Sequence, residues 1–397
     1  MPAGQAHSVH NAPRKPGVRA VMTGQVGVDK KPFIERVAQI ARERGKDLAV
    51  CHVGDMMYKE APDIRPGRIL DLPRPRLDGL RRSVFKDILR IAEKADNLLV
   101  NTHATFRWKH GLFPAFDHDQ MVDLNLDLFM TLVDNVDAVH ERLTREHDLK
   151  HTLKDIMVWR EEEVLATEVL STIVRGHGHF YIIARGLEHH DMAECVYRLM
   201  FEPQRKRVYP SFPMSHVMDL PDTLAEIDAF RDAIAAHFIT FDPGDLDEKR
   251  LPFAAAAARK RGERELVLDI HGRSLPFDID EVLAVEADID SQIYARDFKL
   301  IDQSDIIVSY VPELPNGKPG LSSGVERELQ HAYETTKEVY VVWKPAAEPS
   351  PFVTKTANVV VRSVEELYAL FEKMGYVEAG KMQVTPSSGA RTRGRHG

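Results

Sequence analysis

The chain has 397 residues, of which 43% are hydrophobic and 29% are charged. At about 100–200 residues per domain this length predicts two domains, and the ordinary apolar share excludes a disordered or fibrous protein. The 61 Asp and Glu residues against 53 Lys and Arg give a net charge of −8, which argues against a protein that binds nucleic acids or membrane surfaces. Two cysteines are too few for a disulfide framework or a cysteine-based zinc site.

The N-terminal residues are polar and lack the apolar core of a signal peptide. No run of about 20 apolar residues that could cross a membrane appears either. The sequence therefore predicts a cytoplasmic protein with no membrane partner and no specific nucleic-acid partner. Residues 1–16 and the basic stretch 378–397 are polar and aperiodic, and both are predicted to be disordered arms.

Between the arms, short apolar runs alternate with amphipathic stretches, and a charged break at 202–207 divides them into two series. The first series has predicted strands at 19–23, 48–52, 97–100, within 126–133 and at 180–184, and predicted helices at 33–44, 77–95, 163–174 and 192–200. The second has strands at 208–212, 238–241, 305–310, 339–343 and 358–361, and helices at 225–236, 253–261, 294–303, 324–336 and 364–374. Such alternation indicates βαβ units. We predict an α/β protein with two doubly wound parallel-sheet domains, 17–203 and 204–377.

The segment GQVGVDKK follows the first strand and precedes the first helix. A phosphate-binding loop belongs at this point, because Gly24 and Gly27 let backbone amides curl around phosphate oxygens and Lys30 can reach the outer ones. The usual pattern G-x-x-x-x-G-K-[ST] is incomplete, since Asp29 replaces the last glycine and Lys31 replaces the magnesium-binding hydroxyl. By the motif alone, a strand–turn–helix that binds no ligand is as good an interpretation as a phosphate-binding loop.

Three segments in order, VMTGQVGVDKKPFIERVAQIARERG, HVGDMMYKEA and NLLVNTHATFRWKHGLFPAF, resemble the archaeal-type adenylate kinase family over residues 18–200. The resemblance implies a P-loop kinase fold, with Lys30 as the phosphate lysine and Asp55 in the nucleoside monophosphate site. Asn101 stands where that family has an acidic residue. The stretch that corresponds to the family's arginine-bearing lid contains the arginines Arg142, Arg145 and Arg160.

These departures predict weak or absent phosphoryl transfer in the first domain. The reaction depends on positioning and on charge neutralisation by Mg²⁺ and cations, and the usual magnesium anchors are replaced. We expect a domain that binds a nucleotide, with room for an accompanying Mg²⁺, but transfers phosphoryl groups poorly. An active nucleoside monophosphate kinase and a purely structural domain are the alternatives. The predicted nucleotide-binding residues are Gly24, Gly27, Lys30, Lys31 and Asp55.

In the second domain, Asp297 lies on a predicted helix, a strand follows, and a loop containing Gly and Ser opens a helix that carries Glu328. Ligands of open parallel sheets bind at the carboxyl ends of strands, next to helix N-termini. Ser322 and the amides around Gly324 lie at such a helix start and suit a phosphate group. Glu326 is a rival to Glu328, but it lies about 200° further around the helix. An Asp–Glu pair of this kind can also be structural, as helix caps.

The stretch 294–343 resembles the nucleoside 2′-deoxyribosyltransferase family, whose hallmark is an Asp-bearing helix, a strand, a glycine loop and the sequence E-L-G-x-A. The counterpart of that sequence at 328–332 reads ELQHA. The spacing from Ser322 to Glu328 is more similar to the family's 2′-deoxynucleoside 5′-monophosphate N-glycosidase branch, which implies that a 5′-phosphate is accepted. The looser resemblance over 206–375 implies that Tyr209 and Ser215 belong to the opening strand and the sugar-phosphate loop.

The resemblance implies cleavage or transfer of an N-glycosidic bond, by chemistry parallel to that of retaining glycosidases. Glu328 would attack the anomeric carbon or stabilise its positive charge, and Asp297 would orient the base or protonate its leaving nitrogen. No cofactor and no metal are expected for this step. The expected partners are a nucleotide substrate and, as in the family, a second copy of the chain. A non-catalytic nucleotide sensor in a regulatory or defence assembly is the remaining alternative.

Overall fold

A computed structural model describes seven stretches of the chain: 17–65, 67–108, 111–147, 151–185, 190–214, 217–270 and 272–378. The predicted arm at 1–16 and the predicted basic tail, apart from residue 378, lie outside the described residues. Two compact units are distinguished by their internal contacts. The first comprises the described part of Met1–Gln25, with Asp29–Thr131 and Trp159–Tyr181, and the second comprises Val26–Val28, Leu132–Val158 and the described part of Ile182–Gly397. The domain boundary near residue 204 stays a prediction.

The described residues of the first half of the chain form seven strands and seven α-helices. The strands are β1 (Arg19–Thr23), β2 (Ala49–His52), β3 (Leu98–Asn101), β4 (Thr105–Trp108), β5 (Gly111–Pro114), β6 (Leu128–Val133) and β7 (Phe180–Ala184). The helices are α1 (Lys30–Glu43), α2 (Val53–Glu60), α3 (Arg74–Lys94), α4 (His118–Leu124), α5 (Val136–His147), α6 (Leu153–Arg175) and α7 (Met192–Phe201).

Five of these strands form one sheet in the order β2-β3-β1-β6-β7, and β4 and β5 form a separate antiparallel hairpin. Strand β1 pairs in parallel with both β3 and β6. After β1 the chain continues to β2, at one edge of the sheet. After β3 it crosses β1 to reach β6, on the opposite side of β1. Strands β1 and β3 are therefore neighbours whose connections diverge, and a crevice opens at their carboxyl ends, where open α/β sheets bind ligands.

In the second half, the part of the chain that the structure describes again forms seven strands and seven α-helices. The strands are β8 (Arg207–Ser211), β9 (Ile239–Thr240), β10 (Glu265–Ile270), β11 (Arg273–Asp278), β12 (Ile306–Val311), β13 (Glu338–Trp343) and β14 (Val359–Val361). The helices are α8 (Pro221–His237), α9 (Arg250–Lys260), α10 (Ile279–Ala284), α11 (Glu286–Asp302), α12 (Ser323–Glu334), α13 (Pro351–Thr354) and α14 (Val364–Met374).

The second sheet has the order β9-β8-β12-β13-β14, with every neighbouring pair parallel. Counted within this sheet the order is 2-1-3-4-5, a common doubly wound arrangement whose ligand crevice lies between the first and third strands. Those strands are β8 and β12. A core that includes Phe230, Phe238 and Phe371 covers one face of the sheet. The structure thus places a ligand crevice at the carboxyl ends of β8 and β12.

The predicted α/β class with two parallel sheets is confirmed. Several details differ from the sequence prediction. The charged stretch before residue 163 is helical, in α5 and the start of α6, and α11 begins at Glu286 rather than near residue 294. The hairpins β4–β5 and β10–β11 were not predicted, because each is a short antiparallel pair apart from the main sheets, with no long apolar run to mark it. None of the described helices has both the length and the apolar character needed to span a bilayer.

Candidate active site

Glu328 lies at the crevice of the second sheet. Tyr209 and Ser211 are two residues apart on β8, so their side chains lie on the same face of the strand. The Tyr209 hydroxyl donates to Glu328 Oε1 at 3.0 Å, and Ser211 Oγ donates to Glu328 Oε2 at 2.6 Å. Both donors are fully buried. Each carboxylate oxygen of Glu328 is therefore held by one hydroxyl group of β8, which fixes its position at the carboxyl end of that strand.

The pKa of Glu328 is raised to about 8, chiefly because burial disfavours its charged form. The charge of Asp297 raises it further, whereas the hydrogen bonds from Ser211 and Tyr209 lower it. Asp297, on α11, has its own pKa raised to about 6 by burial, with further contributions from Glu248 and Asp242, while Arg296 opposes the shift. The structure thus brings the two predicted catalytic carboxyl groups within electrostatic reach of each other.

Two carboxyl groups such as Glu328 and Asp297 can have separate roles in a displacement at a sugar carbon. One carboxylate is the nucleophile, and the other, when it carries the proton that the pair shares, is the general acid. Glu326, the rival nucleophile, is exposed in the first turn of α12 and is not among the partners of Tyr209 or Ser211. The geometry therefore favours Glu328 over Glu326.

The predicted phosphate cradle lies at the N-terminus of α12. Ser322 is the N-cap, and its hydroxyl accepts a hydrogen bond from the Val325 amide at 3.2 Å. Gly324 is exposed in the first turn, and the space around it contains little besides the Ser322 side chain. Binding of phosphate by Ser322 and Gly324 stays a prediction. Tyr209, predicted to contact the substrate, contacts Glu328 instead of lying on an open surface, and Ser215 lies outside the described residues.

The phosphate loop has the backbone of a tight turn. Gly24, Gly27 and Asp29 have φ angles of 145°, 86° and 59°, and Asp29 precedes α1 without capping it through its side chain. A Cβ atom at Gly27 would lie 2.9 Å from Leu143 Cγ, so a larger residue would clash there. Glycine is therefore required at Gly27 for both conformation and space.

Lys30 is buried at the base of the loop, and its Nζ donates to the carbonyl oxygen of Gly24 at 2.5 Å. Burial lowers its pKa to about 8, although the charges of Glu163 and Asp29 counteract the shift. Lys31 points elsewhere, since it forms an exposed ion pair with Asp55 at 2.6 Å. The structure therefore separates the two lysines predicted to bind nucleotide: Lys30, the predicted phosphate lysine, belongs to the loop, and Lys31 pairs with the predicted monophosphate-site residue Asp55.

A buried carboxylate that the sequence analysis missed ties the ends of β1 and β3 together. Glu163, on α6, accepts hydrogen bonds from the amides of Gly24 (3.1 Å), Ala104 (2.7 Å) and Thr105 (2.8 Å), and from the Thr105 hydroxyl (2.6 Å). Its side chain has no solvent exposure. Glu163 thus anchors the start of the phosphate loop to the chain segment that follows β3.

Each arginine of the predicted lid lies near a carboxylate, and Arg142 also contacts the phosphate loop. Arg142 donates to the Gly27 carbonyl at 2.9 Å and to Asp134 at 2.8 Å, and it is buried. Arg145 donates to Glu141 at 3.0 Å. Arg160 is also buried, with its Nε 4.0 Å from Glu161. At least Arg142 therefore serves the loop through a backbone carbonyl rather than as an exposed lid residue.

One cluster in the described part of the chain has ligand types suited to a metal. Atoms of His190, Asp242 and Asp245 lie within 4.8 Å of one another. Arg231 Nε lies 2.7 Å from Asp242, however, and Arg231 Nη2 lies 3.8 Å from Asp245. A guanidinium group this close disfavours a divalent cation, and these contacts describe a buried ion-pair network. The absence of a metal requirement stays a prediction.

Part of this chain is similar to solved structures of kinases. No protein-family model matches the chain, and no curated protein matches it. Among solved structures, shikimate kinase from Bacteroides thetaiotaomicron matches with 14% identity over 47% of this chain and 98% of its own, with a TM-score of 0.33. A gluconokinase from Sinorhizobium meliloti 1021 matches with 15% identity over 48% and 97%, TM-score 0.28. The tunicamycin resistance protein of Deinococcus radiodurans matches with 14% identity over 48% and 96%, TM-score 0.29. Identities and TM-scores this low say nothing about activity, so we infer function from the side chains.

The hydroxyl groups of Tyr209 and Ser211 that donate to Glu328 lead to a first prediction. Tyr209→Phe removes one donor from the carboxylate without changing the volume of the buried ring, and should raise the pKa of Glu328 by about one pKa unit, because a hydrogen bond to a charged group is worth about 1.5–3 kcal/mol. Carbon-13 NMR titration of labelled glutamate carboxyl groups measures this shift. Tyr310→Phe is the matched control, since that hydroxyl donates to Glu226. An unchanged pKa in Tyr209→Phe would contradict the assigned contact.

Proposed function

We propose that the second domain cleaves or transfers the N-glycosidic bond of a (deoxy)nucleoside 5′-phosphate, with Glu328 as the nucleophile and Asp297 as the general acid. The observation that carries the proposal is the position of Glu328. Its carboxylate is fixed by Tyr209 and Ser211 at the carboxyl ends of β8 and β12, within the influence of the Asp297 charge. The 5′-phosphate would lie at the start of α12, near Ser322 and Gly324, where backbone amides and the helix dipole favour an anion.

In the first step, an oxygen of Glu328 forms a bond with the anomeric carbon of the sugar while the bond from that carbon to the base nitrogen breaks. The bonding electrons leave with the base, and Asp297 supplies the proton that neutralises it. In the second step, a water molecule or another base attacks the same carbon, the ester with Glu328 breaks, and the proton of the attacking group returns to Asp297. Both carboxyl groups are then restored.

Release of free base tests this proposal directly. Purified protein is incubated with ribo- and deoxynucleoside 5′-monophosphates, with and without Mg²⁺, and free base is separated by chromatography. Glu328→Gln should lower the rate at least about 1,000-fold, because the nucleophile is lost. Glu326→Gln, two positions away and exposed, is the matched control and should retain the rate. Equal release by both variants, or no release from any nucleotide that binds, would overturn the proposal.

The two carboxyl groups predict a bell-shaped dependence of kcat/KM on pH. Below about pH 6 both are protonated and no nucleophile is present, whereas above about pH 8 both are ionised and no acid is present. Between these values the pair carries one proton, which lies mostly on Glu328 because its pKa is the higher. The reactive form, with Glu328 ionised and the proton on Asp297, is the minor arrangement of the same one-proton pair, so the rate should still be highest near neutral pH. Asp297→Asn should remove the alkaline limb and lower the pKa of Glu328. A profile without limbs between pH 5 and 9 would contradict the assignment.

We further propose that the first domain binds a nucleotide phosphate at the loop that contains Lys30 and transfers phosphoryl groups poorly. In support, Lys30 lies at the loop, whereas Lys31 forms an ion pair with Asp55. Lys30→Met should weaken binding of ATP, measured by calorimetry, more than about 10-fold, whereas Lys31→Met should change it little. Formation of ADP from ATP and AMP at about 1–100 s⁻¹ would instead establish the kinase alternative. Tight binding with turnover in neither domain would favour the sensor.

A further inference from the structure

Two buried charged residues lie behind Asp297. Arg296, the preceding residue on α11, donates from Nη1 to Glu248 Oε2 at 3.0 Å. The Arg296 side chain is 10% exposed and that of Glu248 is fully buried. Glu248 lies just before α9, in the long segment between β9 and α11. That segment therefore supplies a counter-ion next to the proposed acid.

The contact between Arg296 and Asp297 is incomplete. Arg296 Nε lies 3.8 Å from Asp297 Oδ1, too far for a hydrogen bond, and neither atom has a hydrogen-bond partner among the described residues. Both atoms are buried. A buried donor and a buried acceptor without partners each cost about 1–3 kcal/mol, so their persistence at a proposed catalytic pair calls for a reason.

We propose that Arg296 is a positioning residue whose Nε–H group takes up the negative charge that Asp297 acquires when it protonates the leaving base, and that Glu248 holds Arg296 ready for this. The inference rests on the proposed function. In the reactive form of the pair Asp297 carries the proton, and a neutral carboxyl group attracts the guanidinium weakly. As the bond from the sugar to the base breaks, the proton moves to the base and the charge remains on Asp297. A shift of less than 1 Å then completes the hydrogen bond.

This arrangement stabilises the transition state rather than the resting site. A donor that is satisfied only after proton transfer contributes to the rate and not to substrate binding. Glu248 has a second effect, because its charge raises the pKa of Asp297 while that of Arg296 lowers it. Without Glu248, Arg296 would therefore lower the pKa of Asp297 further, and the protonated, reactive form of Asp297 would be rarer.

The test compares two leaving groups. The deoxynucleotide that the protein cleaves needs protonation of its base, whereas p-nitrophenyl 2-deoxyribofuranoside 5-phosphate releases a stable anion without a proton. The double variant Arg296→Gln/Glu248→Gln removes both charges together, so no charge is left buried alone. It should lose at least about 10-fold in kcat on the nucleotide and less than about 3-fold on the p-nitrophenyl substrate, with KM nearly unchanged. The exposed pair Arg362 and Glu348, 2.8 Å apart, gives the control Arg362→Gln/Glu348→Gln, which should retain both rates.

Equal losses on the two substrates would show a merely structural role, and no loss on either would also overturn the inference. If the double variant does not fold, Arg296→Lys keeps a cation beside Glu248 without the Nε–H group and should show the same selective loss. If the wild type releases no base, the proposed function fails, and the pairing is judged by NMR titration of Asp297 instead. Arg296→Gln should then raise the pKa of Asp297 and Glu248→Gln should lower it, and the absence of these opposite shifts would disprove the pairing.

Discussion

Both sheets hold a carboxylate at the carboxyl ends of the two strands whose connections diverge, and the way each carboxylate is hydrogen-bonded decides what that crevice can do. Removing a carboxylate from water is costly unless hydrogen bonds replace its hydration. Glu163 receives four, three of them from backbone amides. Glu328 receives two, both from side-chain hydroxyl groups. The first carboxylate is a structural anchor, whereas the second has its pKa raised and keeps capacity for a further partner.

This difference is consistent with the roles proposed for the two domains. Glu163 holds the start of the phosphate loop, and Arg142 holds its middle through the Gly27 carbonyl, so both contacts shape the backbone and leave its amides for a ligand. A loop of this kind can bind phosphate through backbone groups and Lys30 without performing chemistry. Glu328 instead presents side-chain oxygens that hydroxyl groups orient, which is what a nucleophile requires.

The sequence predicted the parts of this arrangement that depend on local pattern. Alternation of strands and helices predicted two parallel sheets, and the spacing from Ser322 to Glu328 placed a helix start before the carboxylate, as the N-cap at Ser322 bears out. Ser211, Glu163, Arg296 and Glu248 were missed, because each acts through a partner far away along the chain, 117 residues in the case of Ser211 and Glu328. Ser211 carried a usable signal, since a polar residue two positions after Tyr209 in an apolar strand must be buried on the same face. Glu163 and Glu248 lie in stretches rich in charged residues, where the sequence predicts exposure, and only the structure shows that they are buried.

The charges around Asp297 also explain why its acid strength depends on more than its nearest neighbours. Asp242 raises the pKa of Asp297, and Asp242 is in turn bound by Arg231 at 2.7 Å. Asp245 in the same network accepts a hydrogen bond from His190 at 3.0 Å. Burial lowers the pKa of His190, but the carboxylates around it outweigh this effect and raise the pKa to about 9. Cations therefore balance the acidic groups next to Asp297 in pairs, Arg231 and His190 for Asp242 and Asp245, and Arg296 for Glu248. Arg296 lowers the pKa of Asp297 directly, so removing this cation would raise the pKa of Asp297 from about 6. The pKa of the proposed acid thus depends on charged residues of α11 and of the segment that follows β9. These residues lie at the carboxyl edge of the sheet because the fold brings both elements there.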